Sequence, residues 1–270
     1  MNANQLGFKR VLLTLTRPLV FTPREEWVKK VDYSTGFKQA GEAYYERYDA
    51  SFGTRPGRKL MWQLEQAVLQ QLVSEKAVQN HLDFAGGTGR VAKALEESVG
   101  SQVILDISEG MLKVAQKKLH KAHVICTDFN QGVEQLADES LDLITSFRFF
   151  PNAEAQLREQ AMAFLVTKMS QDGRLVCNNH RNFWSLSYLF SRLFFMGGDV
   201  GMKNSELRAL AAKHGLRCVK SYSLGWVPQN EDRALLPWAW TAKIEFGLLR
   251  RWASKLNLGY NTIFVFEKIR

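Results

Sequence analysis

HLDFAGGTGR, His81 to Arg90, decides how this chain folds. A short apolar run, HLDFAG (His81 to Gly86), reads as a strand. It ends in a turn that carries Gly86, Gly87 and Gly89, and GRVAKALEES (Gly89 to Ser98) then reads as a helix. Glycines in such a turn let a ligand approach the main chain closely. The helix that follows aims free amides and partial positive charge at whatever lies above it. GTGRVA (Gly87 to Ala92) also satisfies the GxGxxA form of the dinucleotide fingerprint, a pattern too short to identify a ligand by itself.

Outward from this turn, strands and helices alternate. SQVILDI (Ser101 to Ile107), AHVICTD (Ala122 to Asp128), LDLITSF (Leu141 to Phe147) and GRLVCNN (Gly173 to Asn179) read as strands. EGMLKVAQKKLH (Glu109 to His120) and AEAQLREQAMAFLVTKM (Ala153 to Met169) read as helices between them. Such alternation predicts an α/β fold with a parallel sheet and helices on both faces. NSELRALAAKHG (Asn204 to Gly215) reads as a helix with a capping-box start at Asn204 or Ser205. LRCVKSYSLGWV (Leu216 to Val227) and YNTIFVFEKI (Tyr260 to Ile269) are expected to pair as an antiparallel hairpin around an inserted helix. Upstream, Leu60, Trp62, Leu64, Val68 and Leu72 recur at helical spacing, and a further helical pattern from Ala43 breaks near Gly53 to Gly57. Two segments exceed the minimal sheet: RNFWSLSYLFSRLFFMGG (Arg181 to Gly198) and PWAWTAKIEFGLLRRWASKL (Pro237 to Leu256).

Three acids sit at or near successive strand ends. Asp83 precedes the first glycine, where a carboxylate disfavours a pyrophosphate and suits a cationic amino group. Asp106 closes the second strand, where an acid accepts ribose hydroxyls. Asp128 closes the third, where an acid or its neighbouring amide reads an adenine. An amino acid, a ribose and an adenine in that order describe S-adenosylmethionine.

The same residues resemble the class I S-adenosylmethionine-dependent methyltransferases. LDFAGGTGR is similar to the D-x-A-G-G-T-G loop of the ubiquinone/menaquinone C-methylase group. LDISEGMLKVAQKKL (Leu105 to Leu119) resembles that group's D-[IV]-[NS]-x-x-M-L segment. TDFNQGVEQLADESLDLITSFRFFPN (Thr127 to Asn152) resembles its adenine-binding and fourth-strand segments, and YYERYDASF (Tyr44 to Phe52) its R-Y-D segment. The resemblance covers roughly Tyr44 to Asn179, and the two insertions beyond it depart from the quinone methylases. It implies a Rossmann-like, seven-stranded, mostly parallel sheet with an antiparallel final hairpin, an N-terminal cap and helical lids. We divide the chain into a cap segment, 1–59, and a cofactor-binding domain, 60–270, with insertions near 182–203 and 228–257.

The residues expected at the cofactor are Asp83, Ala85, Gly86, Gly87, Thr88, Gly89, Asp106, Ile107, Met111, Asp128, Phe129 and Ser146, with Ala85 and Thr88 acting through the backbone. Ser146 and Phe147 end the fourth strand, beside the sulfonium in this fold. Tyr48, with Tyr44 and Tyr45 a turn away, would cover the cofactor, and an aromatic face there gains roughly 1 kcal/mol of cation–π attraction. His180 and Arg181 follow the fifth strand, at the carboxyl edge where open α/β sheets bind ligands. His180 is the candidate general base, and Arg148 the candidate holder of an anionic acceptor. Both insertions are aromatic-rich and predict a small acceptor with apolar or aromatic surface, methylated at oxygen or carbon.

The rest of the composition narrows the partners. Of 270 residues, 46% are hydrophobic and 23% charged, enough for one large domain with insertions or two small ones. The formal charge of +9 favours anionic partners and leaves room for a carrier-bound or membrane-associated acceptor. The basic residues form no long tract. The turn SFRFFPN lacks the [DNS]-P-P-[YF] pattern of nucleic-acid amino methylases, so a nucleic-acid acceptor is not expected. Five dispersed histidines give no metal-ligand spacing, and no metal is expected. Cys126, Cys177 and Cys218 read as reduced thiols, the first two buried in strand-like runs, and point to the cytoplasm. No run of about 18 apolar residues predicts a membrane helix. VLLTLT (Val11 to Thr16) is too short and lacks the cleavage site of a signal peptide. The sequence does not settle the oligomeric state. Two other readings stay open: a protein that binds S-adenosylmethionine without methylating, and a nicotinamide-dependent dehydrogenase built on GTGRVA.

Overall fold

In the computed structural model, residues 42–189, 201–251 and 257–269 are described. Most of the expected N-terminal cap, including VLLTLT, and the 190–200 part of the first insertion lie outside them. The described residues belong to one unit, 32–270.

Seven strands form one sheet: β1 (Val78–Phe84), β2 (Val99–Asp106), β3 (Ala122–Cys126), β4 (Leu141–Ser146), β5 (Met169–Asn179), β6 (Leu216–Leu224) and β7 (Asn261–Lys268). Their order is β3-β2-β1-β4-β5-β7-β6. The first five pair in parallel, and β7 runs antiparallel between β5 and β6. This matches the expected sheet and its final hairpin. A dehydrogenase sheet of order 3-2-1-4-5-6 has no antiparallel strand in that place.

Seven helices are described: α1 (Glu42–Thr54), α2 (Pro56–Glu75), α3 (Arg90–Leu95), α4 (Glu109–Lys118), α5 (Ala155–Lys168), α6 (Asn204–Lys213) and α7 (Trp238–Arg251). α2 opens on Pro56, whose fixed φ and missing N–H suit a first helical turn. β7 shows why the sheet is buried on both sides. Ile263 and Val265 join Leu64, Leu72 and Val176 under α2. Phe264 and Phe266 point the other way, into the cluster that includes Met162 and Leu165 of α5 and Leu207 of α6. The period of two along a strand makes this division. Fully burying each such side chain contributes about 1.5–3 kcal/mol as an upper figure.

Three local expectations are corrected. α6 is capped by Lys203 without a side-chain bond, not by Asn204 or Ser205. The Asn204 side chain is spent instead on Asn179, whose Nδ2 donates to its Oδ1 at 2.8 Å, and on Thr262 at 3.0 Å. Those bonds tie α6 to β5 and β7. Cys126 is exposed, because it ends the edge strand β3 with its side chain turned outward; Cys177 is buried and Cys218 half-buried. The helix after the glycine turn is six residues long, shorter than Gly89 to Ser98. No helix among the described residues is long and apolar enough to cross a membrane.

Candidate active site

Strand order reverses between β1 and β4, and the glycine turn lies at this switch point, where open α/β sheets bind ligands. Ala85, Gly87 and Gly89 take φ of +53°, +55° and +70°. Gly86 is glycine for want of space: a Cβ there would lie 2.7 Å from Ile104 Cγ1 and 2.8 Å from Asp83 Oδ2. A Cβ on Gly87 would lie 3.1 Å from Met111 Sδ, in a conformation that side chains resist.

Carboxylates hold this turn in place. Asp106 Oδ2 accepts from the Gly87 amide at 2.8 Å, and Oδ1 from the Ser108 amide at 2.8 Å. Each oxygen keeps further lone-pair capacity. Burial raises the Asp106 carboxyl above its ordinary value, against the pull of the Ser108, Gly87 and Ile107 amides. Ser108 caps α4 by accepting from Met111 N at 3.4 Å, which sets Met111 against Tyr45 and Val114 below the turn.

Asp83 is buried, with Oδ1 accepting from the Thr145 hydroxyl at 2.8 Å and Oδ2 from the Ala92 amide at 3.1 Å. It therefore sits beneath the turn and the first residues of α3 rather than on the open face where an amino group was expected. A chain of hydrogen bonds continues from it. Thr145 Oγ1 meets His81 Nε2 at 2.9 Å, and Gln102 Nε2 donates to His81 Nδ1 at 2.8 Å. Burial holds His81 down to about 3, so the ring is neutral, with its proton on Nε2. Burial raises Asp83 to about 6, against bonds from Thr145 and Ala92.

α1 is latched over the turn. Thr88 Oγ1 donates to Asp49 Oδ1 at 2.6 Å, and Lys118 Nζ reaches both Asp49 oxygens at 2.7 Å. Thr88 thus engages through its hydroxyl as well as its backbone. Asp49 lies in the R-Y-D segment and was not singled out beside Tyr48. Tyr48 is half-buried, edge-on to Phe52 at 5.4 Å; Tyr45 is buried and Tyr44 exposed. Across the sheet edge, Asp128 Oδ1 accepts from Asn130 N at 3.0 Å and starts a single 3-10 turn. Phe129 packs on Phe84 at 5.2 Å, and Ile107 is half-buried. Ser146 is fully buried, its Oγ without a hydrogen-bond partner.

A second cluster gathers past β4 and β5. The guanidiniums of Arg90, Arg148 and Arg58 lie 4.0, 4.8 and 5.5 Å from the Phe52 ring centroid. Arg90 also lies 4.0 Å from the Trp62 ring. Glu65, fully buried on α2, accepts from Arg90 at 2.9 Å and from Asn261 at 2.8 Å, with Arg148 4.0 Å away. Glu231 pairs with Arg58 and Arg55. His180 stands beside these cations. Burial, then Arg148, Arg181 and Arg90, push its imidazole well below the ordinary histidine value, so it is neutral and a weak base in this state. Arg148 has φ +68°, and its amide donates to Asn178 Oδ1 at 2.7 Å. Of the two aromatic insertions, Phe183 is half-buried, packed on Trp184 and Tyr188, while Trp184 and Trp240 are exposed.

Residues 82–177 match the family described as "Methyltransferase domain". A ubiquinone/menaquinone biosynthesis C-methyltransferase of Stenotrophomonas maltophilia is 36% identical over 105 residues, 35% of this chain and 40% of that protein. The chain thus matches less than half the length of that curated relative. A magnesium protoporphyrin IX methyltransferase from Synechocystis, solved with bound S-adenosylhomocysteine, superposes over 88% of this chain and 100% of its own, with a TM-score of 0.60 at 14% identity. An S-adenosylmethionine-dependent methyltransferase from Archaeoglobus fulgidus covers 83% of this chain and 100% of its own, with a TM-score of 0.57 at 18% identity.

Proposed function

We propose that the chain, whose residues 82–177 match a methyltransferase domain, is an S-adenosylmethionine-dependent methyltransferase of class I that methylates oxygen or carbon of a small, partly apolar acceptor. When bound, S-adenosylmethionine supplies an electrophilic methyl group. The observation that supports this reading most directly is Asp106 at the tip of β2. It fixes the Gly87 amide and has lone pairs left for two ribose hydroxyls. Asp128 and Phe129 would meet the adenine, and Met111 and Ile107 would line its side. Ala85, Gly86, Gly87, Thr88 and Gly89 would offer main chain to the amino-acid end. Asp83 would act from below by holding the turn, Tyr48 would cover the cofactor, and Ser146 would face the reacting centre.

The protein's main task is to hold acceptor and methyl in line. Well-oriented reactions reach effective molarities of about 10⁵ M or more, so no strong base is required. His180 serves as base only for an acidic acceptor. We assign the cap role to 1–59 and the lid role to the insertions near 182–203 and 228–257, and we place the protein in the cytoplasm.

Calorimetry tests the cofactor. S-adenosylhomocysteine should bind, and Asp106→Ala should weaken it roughly tenfold to a hundredfold, about 1.5–3 kcal/mol for lost bonds to a charged group. Binding of NAD without S-adenosylhomocysteine would overturn the reading. Radiolabelled methyl transfer separates an enzyme from a protein that only binds.

A further inference from the structure

We infer that the acceptor carries a carboxylate and that Arg148, with His180 and Arg181 beside it, is the seat of that group. The inference rests on the methyl-transfer reading, since it places the carboxylate on the molecule to be methylated.

Three guanidiniums surround Phe52, and their partners are unequal. Arg58 pairs with Glu231 and also donates to Ser51 at 2.7 Å. Arg90 holds Glu65 at 2.9 Å. Arg148 is left 4.0 Å from Glu65, whose Oε1 already takes Asn261 at 2.8 Å and Asn178 at 3.3 Å. The Arg148 Nε is buried without a hydrogen-bond partner. Glu65 and Glu231 thus offset Arg90 and Arg58, and one positive charge remains at Arg148.

The backbone is arranged to keep it there. An arginine at φ +68° is held in a strained conformation, and such strain concentrates at binding sites. The fully buried Asn178 holds the turn by accepting from the Arg148 amide. β4 and β5 run parallel with Ser146 opposite Cys177, so Arg148 follows one strand end as His180 follows the other, and Arg148 is near enough to repel a proton from His180. His180 Nδ1 and Ser146 Oγ are also buried without partners. Each such atom carries the penalty of lost hydration unless something meets it. Three of them at adjoining strand ends, next to a surplus guanidinium, fit one anionic ligand. A planar carboxylate matches the guanidinium fork and supplies a single charge, and the half-buried Tyr48 leaves part of its ring for the ligand's body.

An anion at Arg148 has a second effect. Arg148 heads the cations that repel a proton from His180. A bound carboxylate offsets that repulsion and makes His180 a better base only when the acceptor is present.

The test uses the full chain saturated with S-adenosylhomocysteine, and carboxylates paired with their amides: benzoate against benzamide, octanoate against octanamide. Binding is followed by calorimetry and by the imidazole resonances of His180. At least one carboxylate should bind tenfold or more tighter than its amide and shift His180 toward its protonated form. Arg148→Gln should remove that preference, and Arg148→Lys should keep part of it. The inference is overturned if no carboxylate exceeds its amide, if Arg148→Gln keeps the preference, or if inorganic phosphate binds more tightly than every carboxylate. Wild type decides by itself should Arg148→Gln not fold. Failure of S-adenosylhomocysteine to bind would count against the methyl-transfer reading, and the carboxylate preference would then be measured on the free chain.

Discussion

The two sides of the switch point are built on opposite principles. On the glycine side, carboxylates and amides satisfy one another: Asp83 with Ala92 and Thr145, Asp106 with Gly87 and Ser108, Asp49 with Thr88 and Lys118. On the arginine side, Glu65 serves several donors, while Arg148 Nε, His180 Nδ1 and Ser146 Oγ have no partner. The first shape is held mostly by its own chain, with Gln102 Oε1, among the described residues, its one buried side-chain atom left without a partner. A shape with donors to spare is finished by what it binds.

The sharpest way to break this contrast is Glu65→Ala. Removing one member of a buried ion pair leaves Arg90 and Arg148 facing each other, and should cost about 3–5 kcal/mol in urea unfolding. A loss below about 1 kcal/mol would mean that the arginines are ordered by other contacts.

Gly87→Val strikes the other side and should register in affinity first. A β-branched residue at φ +55° costs about 1–2 kcal/mol of stability. Its Cβ would also stand 3.1 Å from Met111 Sδ, on the side of the turn proposed for the cofactor. We expect circular dichroism near that of wild type and no measurable S-adenosylhomocysteine binding. Retained affinity would mean that the turn faces elsewhere.

Acid separates the two buried titrating groups of the glycine side. His81 is held to about 3 when folded, below its ordinary 6.5, so its contribution is present above pH 6.5 and is lost as pH falls toward 3. Asp83 is raised to about 6 from 3.8, so the folded state gains stability as pH falls from about 6 to 4. The two oppose each other, each by up to about 1.4 kcal/mol per pH unit. Between pH 6 and 4, His81→Gln should lose stability less steeply than wild type, and Asp83→Asn more steeply. Identical slopes in chemical denaturation would exclude both groups from the linkage.

The smallest effect belongs to the latch. Asp49 and Lys118 are about three-quarters buried, so Asp49→Asn should cost only about 1 kcal/mol. It should also speed tryptic cleavage after Arg47, because the charge that ties α1 to Lys118 is gone. Unchanged cleavage would show that α1 is held by its apolar face alone.

The glycine side was the legible half of the sequence. Its demands are local: crowding at Gly86, positive φ at Gly87 and Gly89, and an acid closing β2 at Asp106. The sheet was legible for the same reason, since each strand announces itself by a short apolar run. On the arginine side only Arg148, His180 and Arg181 were legible, from their places after strand ends; the residues they meet were not. Phe52, Arg58, Glu65, Arg90, Arg148 and His180 come from five separate elements and loops, and no spacing links them. Glu65 lies on α2 like any solvated helical glutamate, and nothing nearby in sequence says that Arg90, Asn178 and Asn261 converge on it. Asn204 misled because a helix-starting asparagine is usually a cap, whereas here a distant partner, Asn179, outcompetes the local amide.

The place of β7 gives the two sides different ages. The chain needs only β1 to β4 to build the glycine side, and these are finished by Ser146. β6 pairs with no described strand but β7, and β7 is the last to be made. At about 5–20 residues per second of synthesis, β6 waits seconds for its partner, and β5 keeps an open edge meanwhile. Glu65 gains its bond from Asn261 only once β7 is made. Until then, that open edge of β5 is of the kind that invites wrong association.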